Sequence, residues 1–207
     1  AEFSSAAQDM VVVFAGTEDE ILPAVLLGVD QGVNLFLDDR SRWSGRYIPA
    51  FLRRYPFVFA QSDAGEQLSL CIDEACELLN TEGKGERLFD SEGARTTYLN
   101  QMLEFAAQYQ AQFLRTRVFC QRLRSLNLLE PAALSVREQG GAIGLGGFFR
   151  IHRERLKAIP REALTEMFDS DELELCFIHL QSLSNVEGLS RRRAQQELTK
   201  ADTGAVQ

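Results

Sequence analysis

Five arginines, Arg40, Arg42, Arg46, Arg53 and Arg54, share residues 34–60 with Trp43, Tyr47 and five further aromatic side chains. A guanidinium offers paired donors to a carboxylate or phosphate and stacks on aromatic faces, so this mixture suits an anionic or peptide ligand. Trp43, Arg46 and Tyr47 precede Pro49 in an extended turn, where their side chains are expected to line a concave surface. Arg53 and Arg54 follow on a helical turn closed by Pro56, and one is expected over the sheet, paired with an acid. The competing reading pairs these arginines with Asp38, Asp39, Asp63 and Asp73 and lays their stems over the core. Phe36, Tyr47, Phe51, Tyr55, Phe57 and Phe59 read as core, with Phe57 and Phe59 on one face of a strand.

A second constellation lies in "CFIHLQSLSN", which holds Cys176, His179, Ser182 and Asn185 at three-residue spacing. A thiol beside an imidazole becomes a nucleophile when its pKa is lowered. Neighbours on one helix seldom have the orientation a triad needs, so His179 is expected to order its helix against a sheet. His179 and Asn185 join Trp43, Arg46, Tyr47, Arg53 and Arg54 as candidate ligand- or partner-binding residues, and no residue is assigned as catalytic. Cys71, Cys76, Cys120 and Cys176 lack the paired spacing of a zinc site, and only His152 and His179 could assist them. Neither metal nor cofactor is implied. "GGAIGLGG", residues 140–147, lacks the Lys-Ser/Thr of a phosphate loop and reads as a hairpin or bulged strand. "SRRRAQQ" reads as a solvated helix face.

The elements that must position these groups are strands first, then helices. "MVVVFAG", "PAVLLGV", "NLFL", "FVFAQ" and "QLSLCID" are strand-like runs, the last two joined across "SDAGE" as a hairpin. Pro49 and Pro56 bound a short helix. Leu99, Met102, Leu103, Ala106, Tyr109 and Phe113 recur at three- and four-residue spacing and predict a long helix over residues 98–127, capped by Thr96 or Thr97. "EPAALSVRE" and "GGAIGLGGFFRIH" form a second hairpin, and two C-terminal helices follow, one opened by Pro160 and one capped by Asp171. The order predicts an α+β fold, mainly an antiparallel sheet with a long central helix and C-terminal helices. A net charge of −8 disfavours a nucleic-acid-binding surface, and the longest apolar run, residues 21–29, is too short to span a membrane.

The segments "NLF", "RYIPAFLRRYPF", "LCID", "LLEP", "GGFFRI" and "HLQSLSN" occur in an order that resembles the bacterial SapC family, named for a surface-layer-associated protein. The resemblance implies one SapC-like domain over residues 1–190, with a helical or frayed tail at 191–207. It implies an N-terminus trimmed relative to family members. It also implies a soluble accessory or binding role beside tryptophan-halogenase-like flavoproteins, cupin-like oxygenases and TonB-dependent receptors, engaging a peptide or anionic small molecule. A surface-layer or envelope component, and an enzyme using Cys176 and His179, are the alternatives. Reduced thiols point to the cytoplasm.

Overall fold

The computed structural model describes residues 2–17, 20–61, 68–138 and 141–204. In chain order the elements are α1 (Phe3–Ala6), β1 (Val11–Gly16), β2 (Ile21–Leu26), α2 (Ala50–Arg53), β3 (Phe57–Gln61), β4 (Leu68–Ile72) and α3 (Thr97–Ser125). Then come β5 (Leu129–Glu138), β6 (Gly141–Ile151), α4 (Arg153–Lys157), α5 (Arg161–Asp169), α6 (Glu172–Ser182), a 3₁₀ turn (Leu183–Asn185) and α7 (Val186–Gly204). The fold is α+β, as the order of runs predicts. The chain divides into a larger unit, Ala1–Ile48 with Thr116–Gln207, and a smaller one, Pro49–Arg115.

The larger unit is built on an antiparallel sheet of order β2-β1-β6-β5. Val11, Val12, Val13 and Phe14 are all buried, so β1 is covered on both faces and reads as a continuous apolar run. Each edge strand carries a proline, Pro23 in β2 and Pro131 in β5. Proline supplies no N–H to an incoming strand and is confined to such positions. Phe3 of α1, Phe14 of β1 and Phe119 of α3 meet at centroid separations of 6.1–6.4 Å and anchor the core. The glycine-rich segment is strand β6. Its register with β5 shifts at Ala133, opposite Gly146 and Gly147, and Gly147 has φ 84°, a bulge conformation that favours glycine.

Helix α3 ends where its chain chemistry says it should. Asn127 takes φ 52°, its N–H reaches Arg124 O at 2.8 Å, and Leu128 N–H reaches Leu123 O at 2.8 Å. This closes the last carbonyls and turns the chain straight into β5. The start is equally local: Thr96 Oγ1 accepts from Leu99 N–H at 3.3 Å.

In the smaller unit β3 and β4 pair from Phe57↔Ile72 to Gln61↔Leu68, the expected hairpin, with "SDAGE" outside the described residues. Phe57 is buried, Val58 exposed and Phe59 half-buried, as alternation requires. The charged, glycine-rich stretch before α3 is a series of side-chain-closed turns. Asp73 accepts from Ala75 N–H, Asn80 from Glu82 and Lys84 N–H, and Asp90 from Glu92 and Ala94 N–H.

Three expectations give way. "NLFL" is not a strand: Asn34 Oδ1 bonds Phe36 N–H at 2.9 Å, closing a turn that leaves only a Leu37↔Trp43 bridge. Phe51 and Tyr55 are not core but 60% and 54% exposed, because a helix as short as α2 buries just one face, that of Ala50. Asp171 stands at the start of α6 with φ 62° and makes no side-chain cap hydrogen bond.

Candidate functional site

The "HLQSLSN" segment occupies the end of α6 and the 3₁₀ turn, where three-residue spacing presents His179, Ser182 and Asn185 to one side. His179 is fully buried, its ring 4.9 Å from that of Phe14, and its Nε2 accepts from Ile151 N–H at 3.1 Å. Ser182 Oγ accepts from Val12 N–H at 3.1 Å and donates to His179 O at 2.7 Å. Asn185 Nδ2 donates to Ala7 O at 2.8 Å and Met10 O at 2.9 Å. The segment therefore satisfies backbone groups of β1, of β6 and of the turn that joins α1 to β1. Buried backbone groups left without such partners are costly, so this is scaffolding chemistry.

The Cys176–His179 pair is in the wrong state for nucleophilic attack. Burial, with the Glu172 carboxylate adding to it, pushes the Cys176 thiol up to about 12. Burial also holds His179 down to about 4, opposed in part by the Val12 backbone and reinforced by Arg150. A protonated thiol beside a neutral imidazole, whose Nε2 already serves a backbone N–H, has no base to activate it. Native protein treated with iodoacetamide at pH 7.5 is expected to react at half-buried Cys71, leaving Cys176 and Cys120 unmodified until denaturant is added. Peptide mass spectrometry reads this directly, and rapid native labelling of Cys176 would contradict it.

Residues 43–47 are held from two sides. On the first side, Asp9 Oδ2 accepts from Arg46 N–H at 2.9 Å and Tyr47 donates its hydroxyl proton to Glu2 Oε1. Trp43 stacks on Phe36 at 5.5 Å with the planes 20° apart, and Gly45 permits this approach. A Cβ at Gly45 would lie 2.8 Å from Trp43 Nε1 and 2.9 Å from Phe36 Cδ1. From the other side comes α7. Arg192 lies 4.2 Å over the Phe36 ring, donates to Ser44 Oγ at 2.7 Å and to Ser44 O at 3.3 Å, and stands 3.6 Å from Asp9 Oδ2. Arg193 pairs with Asp30, and Gln196 Nε2 reaches Leu37 O at 3.3 Å. "SRRRAQQ" is thus not a solvated face. Arg192 and Gln196, one turn apart, form a polar clasp on the loop that the sequence reading missed, although their i, i+4 spacing was a usable signal.

Within this arrangement the Arg46 side chain is exposed and makes no hydrogen bond or ion pair among the described residues. Arg42 pairs with Asp38 at 2.8 Å, as the competing reading of the arginines anticipates. In the smaller unit Arg53 lies 5.2 Å over Phe105, and Arg54 lies 4.5 Å from the Phe51 centroid and 5.1 Å from that of Tyr109. Trp43, Arg46 and Tyr47 therefore sit in the larger unit with His179 and Asn185, while Arg53 and Arg54 belong to the smaller one. No group of three His, Cys, Asp or Glu side chains among the described residues is placed to hold a metal.

The SapC family model matches residues 1–189, nearly the whole of the 207-residue chain. The chain belongs to the SapC family. The SapC match includes the "HLQSLSN" scaffold and stops three residues before Arg192, so the α7 side of the clasp lies beyond it. No curated protein and no solved structure matches the chain. No helix among the described residues is long and apolar enough to cross a membrane.

Proposed function

We propose that this SapC-family chain is an accessory binding protein, without catalysis of its own, that engages an anionic group of a peptide, small molecule or partner protein. The observation that carries this reading is the Arg46 side chain, exposed and unpaired among the described residues on a loop fixed from both flanks. Because the backbone that carries this cation is already ordered, meeting an anion requires ordering the side chain but not the loop, which favours binding. Trp43 and Tyr47 beside it supply aromatic area of the kind that dominates recognition surfaces. Partners of the kind the family resemblance implies, halogenase-like and cupin-like proteins or TonB-dependent receptor systems, are the proposed context. All four cysteines are free, which supports a cytoplasmic location.

The test uses Arg46→Ala. Asp9 holds the Arg46 backbone N–H, which alanine keeps, so the melting temperature is expected to stay within a degree or so of wild type. Affinity for a partner recovered from native extract and identified by mass spectrometry is expected to fall by about 1.5–3 kcal/mol, the range for a hydrogen bond to a charged group. A lowered melting temperature with unchanged affinity, or recovery of no partner by wild type, would remove the proposal.

A further inference from the structure

A different observation, in the smaller unit, goes beyond that reading. Arg54 stands at the C-terminal end of α2, its guanidinium between the rings of Phe51, 4.5 Å away, and Tyr109, 5.1 Å away. Rings on a guanidinium restrain its plane without consuming its N–H donors, which point outward from the edges. Among the described residues no carboxylate or carbonyl accepts from those donors. Phe51, the nearer ring, is 60% exposed. Arginine, tyrosine and phenylalanine together are the composition of an interface centre.

We infer that Arg54, clasped by Phe51 and Tyr109, is a recognition site for a carboxylate side chain in an acidic peptide segment of a partner protein. The fork of donors takes the two carboxylate oxygens together, and exposed Phe51 covers an apolar residue next to the acid in the peptide. Charge complementarity selects an acidic occupant, and the exposed Phe51 ring selects a peptide over a bare inorganic anion, which has nothing to bury there.

The test titrates the whole protein with two fluorescent heptapeptides of leucine and phenylalanine, one carrying two adjacent central glutamates and the other glutamines. Anisotropy gives affinities, and the Arg54 Nε–H resonance reports the site in unaltered protein. The glutamate peptide is expected to bind and move that resonance saturably, with the glutamine peptide at least about tenfold weaker. Arg54→Gln is expected to weaken the glutamate peptide about tenfold or more, and Arg54→Lys, which keeps charge and stem but not the fork, severalfold. Arg87→Gln, an equal change in net charge elsewhere in the unit, is expected to alter it less than about twofold. Equal losses in Arg54→Gln and Arg87→Gln, equal binding of both peptides, no binding at millimolar peptide, or full displacement by equimolar phosphate would each overturn the assignment. Arg46→Ala separates the two sites, because it leaves the Arg54 resonance shift intact whether or not the proposed function stands.

Discussion

Asn185→Leu is expected to destabilise the larger unit by about 2–4 kcal/mol, because each of two backbone carbonyls loses its donor at about 1–3 kcal/mol apiece. Leucine keeps the branching and side-chain heavy-atom count of asparagine and leaves no cavity, so the loss reads the hydrogen bonds to Ala7 O and Met10 O. These bonds link residues 178 and 175 positions apart, tying the turn before β1 to the turn after α6. Asn185→Asp is expected to be at least as damaging, since a carboxylate cannot donate and faces two carbonyl oxygens. Urea unfolding of both variants measures the effect. An aspartate variant as stable as wild type would mean that these bonds contribute nothing and that Asn185 is free for another task.

The second large effect is a loss of stability in acid. His179 is neutral when folded, with a pKa held down to about 4 against an ordinary 6.5. The unfolded chain takes up a proton below the ordinary value while the folded chain refuses it, so the stabilisation is complete above pH 6.5 and is lost as pH falls through 4. Linkage across that window amounts to about 2 kcal/mol lost by pH 5 and about 3 kcal/mol by pH 4. Burial sets the sign, the Val12 backbone opposes it in part, Arg150 adds a smaller repulsion, and the Phe14 ring beside the imidazole is apolar. Half-buried Glu130 and exposed Glu154 are held below the usual carboxylate range by hydrogen bonds from Arg150 and Lys157 respectively, so their contributions begin to be lost only as pH falls through the ordinary carboxylate value. Urea midpoints at pH 7, 6, 5 and 4 for wild type and His179→Gln isolate the histidine. The variant is expected to be less stable at pH 7 yet nearly flat between pH 6.5 and 4.5, and an equal slope in both proteins would refute the assignment.

Both effects originate in a segment whose chemistry was visible before its role was. The His179, Ser182 and Asn185 spacing placed three polar groups on one helical face, and an ordering histidine is what the fold contains. Their acceptors and donors lay beyond reach of any local pattern, because Ile151 is 28 residues from His179 and Val12 is 170 from Ser182. The arginine-rich segment divides in the same way. That α2 would run between Pro49 and Pro56 followed from proline geometry. That Arg54 would be flanked by Phe51 and Tyr109, and that Arg192 would close on Phe36 and Ser44, did not.

What the sequence by itself determined is the set of elements whose causes are short-range. The α3 helix is written in the recurrence of Leu99, Met102, Ala106 and Tyr109 and in the Thr96 cap. The β3–β4 and β5–β6 hairpins are written in alternation and turn residues. Only the tertiary structure decided that β1 pairs with β6 through Phe14↔Phe149, that Phe36 is buried while Phe51 is exposed, and that the α7 arginines clasp a loop far up the chain. The physical reason is range. Backbone dihedrals and side-chain periodicity act within a few residues and leave their mark in sequence spacing. Burial and hydrogen-bond partnership depend on which distant segments share a sheet, and spacing carries no record of that.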